Sequence, residues 1–287
     1  MFKRQRTGSV VCASCGSLVG VNDDQCYTCG RRNPGLWGFA PVLRRLGTDL
    51  GFVPMIVYGS SVLYLLALLL TVRTGGNIMG GGPLGILSPN GQSQLLLGAS
   101  GAMPVFGLGM WWTVLSAAWL HGSILHILFN MMWVRNLGPA TAELYGGPRM
   151  VIIYTAASIG GFLLSSVFGL FRLPLLGAQL TVGASAPIFG LLGALMYYGR
   201  RSGSSMIHNE AKGYALALFV FGLIFPGIDN AAHAGGFLGG YVTSLWLDPL
   251  KPERVNHMLV ALVCLVATAL AILASILRVY PLMPYLL

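Results

Sequence analysis

Residues 181–190 read Thr-Val-Gly-Ala-Ser-Ala-Pro-Ile-Phe-Gly, and residues 230–236 read Asn-Ala-Ala-His-Ala-Gly-Gly. Each stretch places one reactive polar side chain, Ser185 or His233, inside a long apolar segment. Polar and ionisable groups are costly at membrane depth, so such positions raise a functional hypothesis. A serine alone indicates little, because Ser and Thr also serve as packing residues between helices. The combination with a histidine sets these two stretches apart.

The composition of the 287-residue chain is that of an integral membrane protein. Hydrophobic residues make up 55% of it and charged residues 9%, whereas soluble domains carry roughly a quarter charged residues. The pattern predicts an all-α polytopic fold with about seven apolar segments near the length that spans a bilayer, of which the fifth is short. The segments are Val53–Val72, Val114–Val134, Met150–Phe171, Val182–Gly199, Tyr214–Ile228, Ala231–Leu247 and Met258–Leu277.

The net charge of +9 comes from basic residues that are concentrated in alternate connections between these segments. By the positive-inside rule, their distribution predicts a protein of the cell membrane with a cytoplasmic N-terminus and an extracytoplasmic C-terminus. We expect these residues to set the topology and to contact membrane lipid, and we expect no specific nucleic acid partner. They are Lys3, Arg4, Arg6, Arg31, Arg32, Arg44 and Arg45 before the first segment, then Arg149, Arg200, Arg201, Lys212, Lys251 and Arg254.

Two Cys-x-x-Cys turns, each followed by a glycine, precede the first apolar segment. Four thiolates at this spacing can form the closed tetrahedral shell of a structural Zn²⁺, and the metal would supply the folding energy of so small a segment. Iron in the same shell is the main competitor, and a cytoplasmic location disfavours disulfides. We therefore predict a zinc-ribbon-like module with a docking or regulatory role, through a cytoplasmic protein partner. Its ligands are Cys12, Cys15, Cys26 and Cys29.

Ser185 is predicted to lie at the N-terminus of a helix. Gly183 supplies the turn before it, and Pro187 is tolerated in the first turn of a helix but not deep inside one. The free backbone N–H groups and the helix dipole at such a terminus favour developing negative charge, as an oxyanion hole requires. The alternative is a simple serine N-cap.

His233 opens the sixth segment, near the same outer face of the membrane. A neutral imidazole there can accept the serine proton and return it to a leaving amine. Small residues at G-x-x-x-G spacing let helices approach closely, which favours contact between the fourth and sixth segments. A packing or relay role for the histidine is the alternative. The glycines concerned are Gly235, Gly236, Gly239 and Gly240, with Gly190 and Gly193 opposite.

A third polar cluster contains His121, His126 and Asn130 at the start of the second segment. His126 and Asn130 are four residues apart and share one helical face. Both can donate hydrogen bonds to an oxyanion facing Ser185. Metal binding by His121, His126 and His233 is the competing chemistry, but a complete ligand shell is not apparent in the sequence. We therefore expect no cofactor for catalysis.

With these motifs the chain resembles the rhomboid intramembrane serine proteases. The matching pattern is a histidine and an asparagine four apart, Gly-x-Ser at a helix start, and His-x-x-Gly-x-x-x-Gly in a later segment. It covers about Leu50 to Leu250. The resemblance implies that Ser185 is the nucleophile and His233 the base, as a dyad without an acid.

The resemblance also implies supporting roles. His126, Asn130 and the backbone N–H of Ser185 match the oxyanion side, and Phe189 matches an aromatic position that packs against the catalytic histidine. His121 matches a position that supports the cavity. Apart from the resemblance, Asp229 lies four residues before His233 and is a candidate for orienting the imidazole; the alternative is a solvated carboxylate of an extracytoplasmic loop.

Three features depart from the family pattern. Ala186 follows the serine where the family usually has glycine. Trp111-Trp112-Thr113 stands where the first loop usually carries Trp-Arg, so the anchoring of that loop is expected to differ. A seventh segment follows the usual six.

The expected organisation is therefore a zinc-ribbon-like module over residues 1–34, an interfacial linker over 35–50, a six-helix catalytic core over 51–250 and an additional C-terminal helix over 251–287. The expected function is a serine endopeptidase that cleaves transmembrane segments of other proteins near the outer face. Its cavity would be covered by the first loop, and substrates would enter past the fifth segment. The alternatives are a catalytically inactive rhomboid-like protein that binds transmembrane helices, and a transporter or channel.

Overall fold

The computed structural model of the chain describes residues 4–42, 51–79, 85–171, 177–225 and 227–282. Lys3, Arg44, Arg45 and residues 43–50 of the predicted linker lie outside these ranges. The described chain contains seven long helices, which we number α1 to α7. They are α1 (Phe52–Arg73), α2 (Ile124–Tyr145), α3 (Gly147–Leu170), α4 (Ser185–Ser202), α5 (Ser205–Ile224), α6 (Asn230–Trp246) and α7 (Val255–Val279).

Three of the seven, α1, α3 and α7, are long and apolar enough to cross a membrane by themselves. A short helical segment, Thr113–Trp119, combines with α2 to give a fourth candidate, bent by 95° at the break. The remaining helices are shorter or more polar, and α6 has only 17 residues. The architecture is the predicted one: an integral membrane protein with six helices, a seventh at the C-terminal side, and a small cysteine module in front.

The predicted boundaries of two helices were wrong. The segment Val114–Val134 is not continuous, because Leu120 has an extended backbone and the Ser123 side chain caps a new helix by accepting from the His126 N–H at 3.2 Å. Helix α5 begins at Ser205 rather than Tyr214, since its first turns are polar and carry no hydropathy signal. There, the Ser204 hydroxyl caps the helix by accepting from Ile207 N–H.

Helix α6 packs between α3 and α4 through two different rows of glycines. On the α4 side, a Cβ added to Gly240 would stand 2.0 Å from the Gly190 carbonyl oxygen. On the α3 side, a Cβ added to Gly235 would stand 2.5 Å from the Gly160 carbonyl oxygen. Backbones this close exclude any larger residue, because a Cβ would overlap main-chain atoms. The two G-x-x-x-G pairs of α6 therefore serve two partners.

The first loop, between α1 and α2, packs against α7. It contains a helix at Gly91–Leu97 and a π-helical turn at Met103–Gly107. The Trp112 indole N–H donates to Ser275 Oγ of α7 at 3.0 Å. The Trp-Arg pair expected from the resemblance is thus replaced by a tryptophan anchored on the additional helix.

The N-terminal module contains a two-stranded antiparallel hairpin. Strand β1 (Ser9–Val11) pairs with β2 (Leu18–Gly20), with Val10 opposite Val19. The hairpin buries a small core of valines together with two of the cysteines. So few buried apolar residues cannot stabilise a domain alone, which agrees with a metal as the main source of its folding energy.

Candidate active site and metal centre

Ser185 is the first residue of α4, as predicted. The turn before it depends on Gly183, whose φ of +135° is rarely adopted by a side-chain-bearing residue. This turn is tied to the bend before α2, since the Gly183 N–H donates to Ala117 O at 3.0 Å and the Ala184 N–H donates to His121 Nε2 at 3.4 Å. The serine is therefore held at a helix start by contacts with a distant part of the chain.

His233 lies in the first turns of α6 and is buried. Its ring stacks on Phe189 of α4, with centroids 4.2 Å apart and planes inclined by 16°. Phe189 is one helical turn after Ser185, so this stacking brings the imidazole to the end of α4 that carries the serine. The expected aromatic partner of the histidine is therefore present.

His126 and Asn130 of α2 lie on the same side of this site. The Gly122 N–H donates to His126 Nδ1 at 3.2 Å, which leaves the hydrogen of the ring on Nε2. A Cβ built on Gly183 would lie 2.7 Å from His126 Nε2 and 3.7 Å from Ser185 Oγ, so these two atoms border the same small space. Asn130 donates one N–H to His126 O at 2.8 Å. The His126 Nε2–H group thus borders the space next to the Ser185 hydroxyl.

His121 supports this arrangement from behind. It is fully buried, and its ring meets the His126 ring edge to face at a centroid distance of 5.2 Å. Its Nε2 accepts the Ala184 N–H, so it contacts the residue immediately before Ser185. These contacts fit the supporting role expected of His121.

Ser185, His233, His126 and Asn130 line one cavity of about 650 Å³. Pockets of this size accommodate extended segments or small ligands. Most of this lining is apolar, and its polar side chains are Ser185, His233, His126 and Asn130 together with Ser123, Thr181 and Asp229. Within the described ranges, no hydrogen bond joins the Ser185 hydroxyl to another group. In free enzymes, catalytic hydrogen bonds are often long and tighten only when substrate is bound.

The apolar wall of this cavity comes mainly from α2 and α5. Phe129 of α2 and Phe221 of α5 stack at 6.1 Å between centroids, and Phe221 contacts Phe225 at 4.2 Å. Near the same wall, Trp133 meets Tyr214 edge to face at 5.3 Å. The described part of the first loop contributes only Ser123, the N-cap of α2, to the lining, so the predicted cover by that loop is not seen among these residues.

Ala186, the departure next to the serine, is accommodated by glycines on two neighbouring helices. A Cβ on Gly161 of α3 would lie 2.7 Å from the Ala186 methyl group, and one on Gly236 of α6 would lie 2.1 Å from the Ala186 carbonyl oxygen. Ala186 is fully buried between these helices. Its methyl group therefore points into the helix packing.

Asp229 caps α6 and does not contact His233 through its side chain. Its Oδ1 accepts the Ala232 N–H at 3.0 Å, and its Oδ2 accepts a short hydrogen bond from Ser165 of α3. The group that contacts the imidazole is Asn230, whose Oδ1 lies 3.2 Å from His233 Nδ1. The sequence analysis missed Asn230, although its i, i+3 spacing from the histidine places both on one helical face.

The four N-terminal cysteines form a compact cluster, with all sulfur atoms within 4.8 Å of one another. Cys12 and Cys29 are 3.8 Å apart and Cys15 and Cys26 are 3.6 Å apart between Sγ atoms. Tetrahedral Zn–S bonds of about 2.3 Å correspond to sulfur separations of roughly 3.8 Å. The predicted ligands are thus together, and their geometry fits a tetrahedral metal ion.

Local structure in the cluster favours metal binding. The glycines after each Cys-x-x-Cys turn, Gly16 and Gly30, have φ of +81° and +72°. This conformation lets each chain segment fold back, with the Gly30 N–H donating to Cys26 O at 2.8 Å. Hydrogen bonds from the side chain and backbone of Ser17 lower the pKa of Cys15 to about 6. At Cys15 the local hydrogen bonds therefore favour the thiolate, the form that binds metal.

The cysteine module docks on the start of α7. The Val255 N–H donates to Ala13 O at 2.9 Å, and Arg31 Nη1 donates to Asn256 Oδ1 at 3.0 Å. Ala13 lies between two of the clustered cysteines, so the metal-site loop itself makes this contact. The cysteine cluster is thus in direct contact with the N-terminus of α7.

The connection between α6 and α7 is also held by α3. Arg149 of α3 is buried and donates to the carbonyl oxygens of Asp248 at 2.7 Å and Lys251 at 3.0 Å. The Leu250 N–H donates to the Asp248 carboxylate and lowers its pKa, with Arg201 and Lys251 adding to the effect. The link between α6 and α7 is therefore held by both α3 and the cysteine module.

The chain is similar to known proteins over its helical part. Residues 108–249 match the family model of the rhomboid domain. Rhomboid protease GluP of Bacillus subtilis (strain 168) is 30% identical over 189 residues, 65% of this chain and 36% of that protein. RHOMBOID-like protein 4 of Arabidopsis thaliana is 30% identical over 161 residues, 55% of this chain and 39% of that protein.

A third relative, Rhomboid-like protease 3 of Toxoplasma gondii, is 29% identical over 158 residues, 53% of this chain and 57% of that protein. The chain thus spans between 36% and 57% of the lengths of these relatives. The matched residues run from the end of the first loop through α6 and include every side chain of the cavity described above. On the match to this family model, the chain is an integral membrane protein that contains a rhomboid domain over residues 108–249.

Proposed function

We propose that this rhomboid protein is an intramembrane serine endopeptidase that cleaves transmembrane segments of other membrane proteins. What supports the proposal is that a serine at a helix N-terminus, a buried histidine and two further hydrogen-bonding side chains line one cavity. The family supports the reaction class, since its members are generally intramembrane serine proteases. The specific residues below are our assignment.

Ser185 is the nucleophile and His233 the general base. The Ser185 Oγ attacks the carbonyl carbon of the scissile peptide bond while His233 Nε2 accepts its proton. The tetrahedral intermediate then collapses, and His233 returns the proton to the leaving amine. Water, deprotonated by the same imidazole, hydrolyses the acyl-enzyme and releases the second product.

The oxyanion is stabilised from three directions. His126 Nε2–H, the Asn130 side-chain amide and the Ser185 backbone N–H donate to it. The tautomer of His126 is set by the Gly122 N–H, so the donor is present before substrate binds. His121 supports His126, Phe189 supports His233, and Gly183 gives the close approach that this arrangement requires.

The substrate is an extended stretch of a transmembrane helix. A helix hides its carbonyl groups in its own hydrogen bonds, so it must unwind locally before attack, and small or helix-breaking residues near the cleavage site favour cleavage. The substrate enters between α2 and α5, where the cavity wall consists of side chains that can rearrange without breaking hydrogen bonds. The aromatic stack of Phe129 on Phe221 is the barrier to this entry.

We also propose a cytoplasmic N-terminus and an extracytoplasmic C-terminus, in the cell membrane. The basic residues at the α2–α3, α4–α5 and α6–α7 connections lie at the end to which the cysteine module docks, and the positive-inside rule places this end in the cytoplasm. The catalytic cavity, at the opposite ends of α4 and α6, then opens near the outer face. No nucleic acid partner is involved, and lipid contacts the basic end.

The metal of the N-terminal module is Zn²⁺ in a structural role, since a shell of four cysteines leaves no position open for substrate. We propose the same domain organisation as expected from the sequence: the zinc module over 1–34, a linker over 35–50, the catalytic core over 51–250 and the additional helix over 251–287. The docking of the module on α7 leaves its outer face free for a cytoplasmic protein partner.

The test is cleavage of a panel of single-span substrates in proteoliposomes by the wild-type protein and by Ser185→Ala and His233→Ala. We expect cleavage by the wild type and a loss of at least 10³-fold in both variants. Cleavage retained in either folded variant would remove that residue from the mechanism.

The second candidate is a rhomboid-like protein that binds transmembrane helices without cleaving them. The observation in its favour is that the described Ser185 hydroxyl makes no hydrogen bond to His233. A serine-directed fluorophosphonate separates the two, because only an activated serine reacts with it. Labelling of the wild type, absent in His233→Ala, favours the peptidase; binding of substrates with neither labelling nor cleavage favours the binding protein.

A further inference from the structure

We propose that Asn230 is the positioning residue of His233, holding its imidazole in the tautomer whose free Nε2 faces Ser185. This inference rests on the peptidase function proposed above and adds a third residue to it. Asp229, the acidic candidate from the sequence, does not have this role.

The contact is direct and buried. Asn230 Oδ1 lies 3.2 Å from His233 Nδ1, and both side chains are almost fully buried, with exposed fractions of 1% and 5%. An amide oxygen can only accept a hydrogen bond, so Nδ1 must carry the hydrogen. The lone pair of the neutral ring is then on Nε2, the nitrogen that a general base must present to the serine.

The Asn230 side chain is held in place by its neighbours. A Cβ built on Gly222 of α5 would lie 2.3 Å from Asn230 Oδ1, so α5 packs directly against the amide. Its Nδ2 has no hydrogen-bond partner within the described part of the chain. A buried amide N–H group without a partner lowers the stability of the folded protein. Such an exception calls for an explanation, and a functional role of Asn230 Oδ1 at His233 provides one.

Asp229 is excluded from this role by its own contacts. One carboxylate oxygen caps the helix and the other accepts from Ser165, so each already has another hydrogen-bond partner, and neither is hydrogen-bonded to the imidazole in the described structure. A neutral amide also suits this site better than a carboxylate. It orients the imidazole without placing an ionised carboxylate next to a buried ring.

The inference predicts a specific pattern of substitutions. Asn230→Leu keeps the approximate size but removes the acceptor, and we expect kcat to fall at least tenfold with KM changed less than twofold. Asn230→Asp keeps an acceptor at the same atom, and we expect it to retain at least a third of the wild-type kcat. Asp229→Asn keeps the helix cap and serves as the comparison, with kcat within twofold of wild type.

A spectroscopic readout makes the test independent of catalysis. Nitrogen-15 NMR of histidine-labelled protein, with His233 assigned by comparison with His233→Ala, reports which ring nitrogen carries the hydrogen. We expect Nδ1–H in the wild type and in Asn230→Asp, and a mixture of tautomers in Asn230→Leu. Thermal unfolding in the same detergent establishes that each variant is folded.

Two results would overturn the inference: a wild-type imidazole with its hydrogen on Nε2, or a folded Asn230→Leu protein with kcat within twofold of wild type. A fall in Asn230→Asp as large as that in Asn230→Leu would do the same. Failure of the proposed function is distinct, since it appears as a wild-type protein that cleaves no substrate and whose Ser185 does not react, whatever the tautomer.

Discussion

Gly240→Ala in α6 tests whether the close packing of α4 and α6 sets the geometry of the site. The new Cβ would stand 2.0 Å from the Gly190 carbonyl oxygen and 2.5 Å from two further backbone atoms of that residue, whereas ordinary contacts are 3.4–4 Å. Backbone atoms cannot rotate away, so the two helices must separate by about 1.4 Å at this point. Gly240 is two helical turns after His233, on the same face.

The expected effects follow from that separation. Overpacking of this kind costs about 1–3 kcal/mol in the free energy of unfolding. Misplacement of catalytic groups by ~1 Å lowers the rate on the order of 10²-fold. We therefore expect Gly240→Ala to lower the thermal midpoint and to reduce kcat for a single-span substrate by about two orders of magnitude.

The matched control is Gly213→Ala in α5. Gly213 is also inside a long helix, but a Cβ there would meet no atom within 4 Å. Alanine is a better helix former by about 1 kcal/mol, so this variant should be at least as stable as wild type and equally active. Equal stability and activity of the Gly240→Ala and Gly213→Ala proteins, measured by thermal unfolding and cleavage in the same detergent, would refute the packing argument.

Three further predictions concern other parts of the chain. Removal of the metal by a chelator should break the contact between the cysteine module and α7, in which the Val255 N–H donates to Ala13 O. The Val255 amide should then exchange at least tenfold faster in hydrogen–deuterium exchange. An unchanged rate would show that this contact does not depend on the metal. Arg149→Met should destabilise the protein by on the order of 2 kcal/mol, since it leaves two carbonyl groups without their charged donor, and an unchanged denaturation midpoint would contradict this. Gly183→Ala should reduce kcat more than tenfold, because the new methyl group would displace His126 and because alanine disfavours the positive φ at this position. Wild-type kcat in this variant would show that Gly183 is not needed to position His126.

The sequence predicted those features that depend on local patterns. The apolar segments predicted the number of long helices, the two Cys-x-x-Cys turns predicted the cysteine cluster, and Pro187 predicted the helix start at Ser185. Each is encoded within a few residues: a hydrophobic run, a Cys-x-x-Cys turn, or a residue without an N–H.

The features that it did not predict depend on contacts between distant residues. The bend at Leu120 lies inside one predicted apolar segment, and the mean hydropathy of that segment does not locate it. The docking of Trp112 on α7 joins residues that are 163 positions apart. The choice of Asn230 over Asp229 depends on which side chain contacts the imidazole and which contacts Ser165, and spacing alone does not distinguish the two.

The most direct test of the central claim is to map the site of a fluorophosphonate adduct on the full-length protein in a membrane. After reaction and proteolysis, mass spectrometry identifies the modified residue. The account predicts a single adduct on Ser185 that forms in the wild type and not in His233→Ala. An adduct on another residue, or equal modification of Ser185 with and without the histidine, would contradict it.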